Sequence, residues 1–514
     1  MTRVASAASL ALVLFLSVGT FVAVSLRADT SLALGTSDWA AIRFTFVQAA
    51  LSSAISCLLA VPVARAVARR NFPGRSLLIT LLGAPFILPT IVAIVGILAV
   101  FGSTGLLGSL VRAVGIRAPE IYGLHGVVLA HVFFNLPLAT RFVLQGWLAV
   151  PSERLRTAAA LGFGPREVFT HIERPMLRSV LPGALVVVFL VCLSSFAVAL
   201  IMGGGPRATT IELAIYQAFM FEFDVGRAAR LALIQFMLGI CAGIVAWRVA
   251  LPTGFGAGLD RPAERWDARR PGLRLADGLV ITAVSLFLLL PLGTVLIEGF
   301  GEMFRLPSSV YFAAARSLAV ALASVLLMLA LALPIALAVS RTSQRQALLA
   351  EGAGLLMIAA SPMVVGLGLY IILFPLVDPI SVALAVTALV NAGTSLPFAL
   401  RAIIPAVRDA EVNFGSLADS LGLNGAARVR LLILPRTMRP LGFAMGITAA
   451  LSMGDLGVIA LFGSTDAPTL PLMLYRLMGA YRMEQASGAA LLLVLLSILV
   501  FWTFDRGGRI NSAS

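Results

Sequence analysis

The chain has 514 residues, 60% of them hydrophobic and only 12% charged, with a net charge of +14 and a mean hydropathy of +1.00. A soluble domain carries roughly 25% charged residues, so this composition excludes a water-soluble globular protein and points into a bilayer. No lysine occurs, so all 38 cations are arginine; a Gly-x-x-x-x-Gly-Lys phosphate loop is excluded, and ATP hydrolysis by that route with it.

Twelve apolar runs, each long enough to cross the hydrocarbon core as a helix, predict spans at 5–26, 44–66, 76–101, 122–148, 183–203, 228–250, 276–298, 316–339, 352–376, 380–402, 441–463 and 487–505. The alternation of a transmembrane β-barrel is missing, so helices must satisfy the backbone. The first run follows Arg3 and exceeds the apolar stretch of a secretory signal, which predicts a retained helix. Cys57, Cys192 and Cys241 fall inside runs and read as small buried apolar residues, not a disulfide framework. Pro85, Pro89 and Pro362 are expected to kink their spans. In the fourth run His131 and Asn135 lie one turn apart, matched by Asn391 and Ser395 in the tenth. Such a stripe suits hydrogen bonding between the halves of the protein or contact with a substrate.

A charged stretch, GFGPREVFTHIERP from Gly162 to Pro175, then interrupts the apolar sequence. Gly164-Pro165 supplies a turn and a first-turn proline, where the missing N–H costs nothing. Leu161, Val168, Phe169, Ile172 and Met176 share a helical face, with Arg166, Glu167, His171, Glu173 and Arg174 beside it. A second such stretch begins at Asn424-Gly425, with Leu421, Val429, Leu432 and Ile433 apolar and Arg428 and Arg430 charged. Both are predicted to be short amphipathic helices at the inner face, stopped by Pro175 and Pro435. Each lies on the membrane surface, held to lipid by arginine, or docks a two-fold partner.

The outer segments 204–227 and 464–486 carry Glu212, Glu222, Asp224, Asp466 and Glu484 among Arg207, Arg227, Arg476 and Arg482. These are solvated loop charges or a rim that steers a soluble partner. Segment 251–275, rich in Gly, Pro and Arg, reads as a cytosolic linker. Asp455 is the acid placed well inside a span, with Ser195 as its counterpart. It faces a pathway and favours a cation, or it bonds nearby backbone beside Gly454 and Gly457. Arginine is in excess on the inner segments and balanced by acids on the outer ones, which orients both termini inward and leaves no basic patch for nucleic acid.

Self-comparison divides the chain. Asn135-Leu136-Pro137 to Arg141 recurs as Ser395-Leu396-Pro397 to Arg401, an offset of 260 that also matches Leu161-Gly162 with Leu421-Gly422 and Pro175 with Pro435. Six spans per half place the copies in the same orientation, related by an axis along the membrane normal.

Ala158-Ala159-Ala160-Leu161-Gly162 through Ile172-Glu173-Arg174-Pro175, with Ser420-Leu421-Gly422 through Ile433-Leu434-Pro435, resembles the signature loop of importer-type ABC permeases. The resemblance implies an all-α membrane protein with two six-helix type-1 permease repeats. It divides the chain into a first helix and outer loop (1–43), a permease domain (44–250), the linker (251–275), a seventh helix and outer loop (276–311), a second permease domain (312–506) and a cytosolic tail (507–514). The matched loops would be coupling helices seated in a separate ABC ATPase homodimer, which uses ATP and Mg while this chain binds no cofactor or metal. The family's leading glutamate falls at Arg156 and Ser416, a departure from its pattern.

Ser194 to Ala197, Gly203 to Ala218 (GGGPRATTIELAIYQA), Gly454 to Gly463 (GDLGVIALFG) and Thr469 to Tyr475 (TLPLMLY) look like the fused thiamine ABC transporter permeases. That family implies import of thiamine or its phosphates, delivered by a periplasmic thiamine-binding protein, through a bacterial inner membrane. The fused ferric-iron permeases share the architecture and stay open, as does an ion-coupled secondary carrier.

Overall fold

In a bilayer, segments rich in leucine, alanine and valine close all their backbone hydrogen bonds only as helices. The computed structural model describes residues 2–28, 34–83, 88–117, 120–205, 208–249, 266, 270–340, 357, 360–462 and 467–510. Every regular element among them is a helix. Eleven are long and apolar enough to cross a membrane: Val4–Arg27, Thr36–Arg69, Thr90–Ala113, Leu124–Leu148, Pro165–Leu193, Val225–Ala246, Pro271–Arg305, Ser308–Ser340, Ala383–Ser420, Gly425–Phe462 and Met483–Arg509. Hydroxyl groups inside them bond back to a carbonyl one turn earlier, as Thr20 does to Leu16 (2.6 Å) and Thr387 to Ala383 (2.8 Å).

Twelve spans were expected; the ninth, 352–376, falls partly outside the described residues, and its described part is the helix Pro362–Leu373. Residues 341–356 and 358–359, just before it, lie outside the described residues, as do Pro85 and most of the linker. Pro89 and Pro362 start helices, at the N-cap of Thr90–Phe101 and the first turn of Pro362–Leu373, instead of kinking them. Cys241 is exposed on its helix while Cys57 and Cys192 are buried.

The first and seventh helices reach across the bundle. Thr2–Leu14 packs on Ser308–Ser340, and Thr20–Arg27 packs on Pro362–Leu373. Pro271–Glu302 packs on Thr90–Phe101, Thr36–Arg69 and Met483–Ile510. Close approach there depends on Gly96: a Cβ at that position would stand 2.3 Å from the Pro291 carbonyl oxygen.

The outer segments are solvated only in part: Glu222, Asp224, Arg482 and Glu484 are exposed, and Arg207 and Asp466 lie outside the described residues. Each contains a largely buried helix, Ile211–Met220 or Leu470–Gly479. Both helix starts hang from a hydroxyl of an early span: the Ile211 N–H donates to Thr45 Oγ1 at 2.9 Å, and the Leu470 N–H to Ser317 Oγ at 2.7 Å. Glu212 is buried and accepts from Gln235 Nε2 at 3.1 Å, so Asp455 is not alone among buried acids.

Candidate functional site

Two inner turns come first. The helix Ser152–Ala160 ends at Gly162, and the long helix Ala383–Ser420 ends at Gly422. Both glycines are left-handed, φ 72° and 66°. Each is framed by the bonds of a Schellman turn: Phe163 N–H to Ala158 O (3.0 Å) in one, Leu423 N–H to Ala418 O (2.9 Å) in the other. The Leu-Gly pair is thus dictated by backbone, since a side chain resists that conformation. Leu161 and Leu421 are left exposed at the tips. Ala158 is buried and Ala159 exposed.

Beyond the turns, the chain path corrects the expectation that proline stops these segments. Pro165–Val168 runs into a π turn, Phe169–Glu173, and on into Arg174–Leu193; Gly425–Arg428 runs through Val429–Ile433 into Leu434–Met453. The Arg174 N–H reaches Phe169 O, and the Leu434 N–H reaches Val429 O, each five residues back. Pro175 and Pro435 come next. A proline ring clashes with the carbonyl four residues back in an α-helix, and the widened π turn accommodates it. The segments are therefore stiff continuations of membrane helices.

The same fold fixes the charges differently. Glu173 is wholly buried; its carboxylate meets Arg65 at 2.7 Å and Arg69 at 3.5 Å, and accepts from Trp147 Nε1 at 3.3 Å. Arg65 also covers the Phe169 ring, 5.2 Å from its centroid. In the second segment Arg428 is buried, bonded to Glu411 Oε1 at 3.2 Å and paired with Asp419. Arg428 is therefore an anchor and not, as expected, a surface charge. Arg166, His171, Pro175, Arg430 and Pro435 are exposed or half-buried. His171 Nδ1 bonds Glu167 O at 3.0 Å, and the side chain lines a cleft of about 320 Å³ with Arg154 and Met176. Arg65 and Arg69, one helical turn apart on Thr36–Arg69, were the sequence signal for a buried acid partner.

About 30 Å along each helix, by a rise of 1.5 Å per residue, lies a break. Arg174–Leu193 gives way to Ala197–Met202, and Leu434–Met453 to Gly457–Phe462. The breaks adjoin: a Cβ on Gly457 would lie 3.8 Å from Phe196, and one on Gly454 3.1 Å from Pro89. Helix ends leave carbonyls without partners. Here Gln48 Nε2 takes the Cys192 carbonyl (2.8 Å), Gln235 Nε2 the Leu193 carbonyl (3.0 Å) and Thr210 Oγ1 the Ser195 carbonyl (3.3 Å).

The polar stripes serve those breaks. His131 lies between Ser195 Oγ (2.6 Å) and Ser52 Oγ (3.4 Å), and Asn135 Nδ2 meets Cys192 Sγ at 3.3 Å. Asn391 Nδ2 donates to Ser452 Oγ at 3.1 Å, and Ser395 Oγ bonds back to Ala392 O at 3.0 Å. The interhelical bonds join helices packed within each half, not the halves to each other, because Leu124–Leu148 lies against Thr36–Arg69 and Arg174–Leu193. Asp455 sits at the second break. Its Oδ1 accepts the Gly457 N–H at 3.1 Å, while Oδ2, screened from solvent, has no hydrogen-bond partner among the described residues. The Asn391 amide faces the same carboxylate without making a hydrogen bond to Oδ2.

No family model matches the chain. It is 38% identical over 517 residues to the thiamine transport system permease protein ThiP of Brucella abortus (strain 2308), spanning 98% of this chain and 95% of that protein. The ThiP proteins of Salmonella typhimurium (37% over 477 residues) and Escherichia coli K12 (36% over 482) each align over 91% of this chain and 89% of their own length. Likeness sustained from end to end, across spans, breaks and both inner turns, means that the chain belongs to the thiamine transport system permease family.

Proposed function

We propose that the chain is the membrane-spanning subunit of an ATP-driven importer carrying thiamine, or its mono- or diphosphate, from a periplasmic binding protein to the cytoplasm. It is a transport subunit, not an enzyme; a separate ATPase dimer under the Gly162 and Gly422 turns supplies the energy. The observation that carries this reading is the twinned geometry of those turns: left-handed glycine, short helix, then a π turn closed five residues back. A helix resting on lipid has no need of one shape twice, whereas a two-fold partner does. The paired hydroxyl supports at Thr45 and Ser317 favour the same two-repeat arrangement.

Drawing the inner turns together would swing Arg174–Leu193 and Leu434–Met453 as rods, and the breaks at Ser195 and Asp455 are where their far ends give. ATP binding below thereby opens the path outward, and hydrolysis returns it inward. Asp455, with one oxygen unpartnered among the described residues, faces that path and favours a cationic ring. The test is uptake into proteoliposomes holding the chain and its ATPase. ATP-dependent, ionophore-resistant thiamine entry that excess ferric iron leaves untouched is the expected result. Entry abolished by ionophore would replace the importer with a secondary carrier. Cysteines placed beside Gly162 and Gly422, in a background lacking the exposed Cys241, should cross-link to the ATPase.

A further inference from the structure

The helices Ile211–Met220 and Leu470–Gly479 each end, like the inner segments, in a turn that passes through a left-handed residue, here not a glycine. The left-handed positions are held by Phe223 (φ 54°) and Tyr481 (φ 58°), the non-glycine residues with positive φ among those described. Arg482 N–H closes on Leu477 O (3.0 Å), five residues back as in the inner turns, while Asp224 N–H closes on Ala218 O (2.9 Å), six back, in a turn one residue wider. Glycine is the usual occupant; an L side chain there is strained, and an aromatic one lacks the polar group with which asparagine offsets it. Packing does not repay the strain either: Phe223 is 82% exposed and Tyr481 91%. Strain kept without burial is the mark of a working surface.

The two tips differ in charge. Phe223 stands between Glu222 and Asp224; Arg227 pairs with Glu222 and with Asp38 (2.7 Å), and Asp224 caps the next helix by accepting the Arg227 N–H at 2.8 Å. Tyr481 precedes Arg482, with Arg476 one turn back and Glu484 beyond. The first tip is rigid and net acidic, the second net basic. The helices that carry both tips pack inside the bundle. Ile211–Met220 packs among Thr36–Arg69, Pro362–Leu373 and Gly457–Phe462, and Leu470–Gly479 among Ser308–Ser340, Thr90–Phe101 and Met483–Ile510.

We propose that Phe223 and Tyr481 are paired docking knobs for the soluble substrate-binding protein. Phe223 enters a pocket rimmed by basic side chains, Tyr481 one rimmed by acidic side chains, and the opposite charges fix which way round the partner sits. The inference rests on the importer reading, which puts these tips outside. Aromatic anchors dominate interface energy when their position is set in advance, and the strained turns set it.

The test holds the chain and its ATPase in nanodiscs and measures the affinity of the purified thiamine-binding protein. Phe223→Gly and Tyr481→Gly relieve strain, so folding is not at risk, and each should weaken binding by about tenfold or more. Arg482→Glu should weaken it as well and flatten its salt dependence. If the wild type binds and imports while both glycine variants bind as tightly, the docking inference falls and the importer stands. If the wild type neither binds nor imports, both fall. Tryptophan at either position, quenched by brominated lipid, would place that tip in the headgroups and overturn the assignment.

Discussion

Replacing Glu173 with glutamine tests the anchoring of the first inner segment. Its side chain is 0% exposed; of its partners, Arg69 is 1% exposed and Arg65 24%. Removing one member of a buried ion pair costs roughly 3–5 kcal/mol, because the other charge is left unpaired in a poor solvent. Glutamine keeps the volume and still accepts the Trp147 N–H, and Arg65 can turn to water, so the expected loss is about 3 kcal/mol, the lower end of that range. Arg69, which cannot turn away, carries most of it. Damage should therefore rank Glu173→Gln worst, Arg69→Gln next and Arg65→Gln least. Thermal unfolding in detergent, tracked by tryptophan emission, reads this directly because Trp147 touches the altered group. A Glu173→Gln protein that melts with the wild type, at unchanged Trp147 emission, would refute the reasoning.

Gly162→Ala and Gly422→Ala should each cost about 1 kcal/mol by conformation alone, since no atom within 4 Å obstructs a new Cβ; melting temperature measures it, and identical melts would contradict a left-handed requirement. Gly96→Ala drives a methyl against the Pro291 carbonyl at 2.3 Å, backbone that no rotamer change can clear, so a loss of about 1–3 kcal/mol is expected on the overpacking scale and the same melts detect it. Asp455→Asn should slow initial thiamine uptake at unchanged membrane abundance, checked by transport rates and immunoblot; wild-type kinetics would leave Asp455 as a backbone cap.

Membrane helices were legible because the bilayer enforces one rule, a long apolar run, on every span. The rule fails where an element sits inside the bundle without crossing it. Ile211–Met220 and Leu470–Gly479 carry an acid or an arginine and a threonine start, so they resemble loops in composition, yet neighbouring helices bury them. The inner turns were placed by Gly162 and Gly422, since a left-handed residue advertises itself. Their continuation was not: a proline is a stop signal in an α-helix, and sequence alone does not announce the π turn that lets the chain continue past it.

Comparing the two inner segments shows which parts of a structure a sequence can hide. Glycine, short helix and π turn recur because they fix the path of the chain, and few residue types satisfy that path. The anchors need only balance charge. Glu173 is held by two arginines from Thr36–Arg69, whereas Arg428 is held by two acids from Ala383–Ser420. Polarity is reversed and the supporting helix differs. The first segment is tied to a helix distant in sequence, the second to the helix that leads into it. The ion pairs tie the first segment to Thr36–Arg69 and the second to Ala383–Ser420. Two segments of the same backbone shape are thus fastened to different supporting helices by ion pairs of opposite polarity.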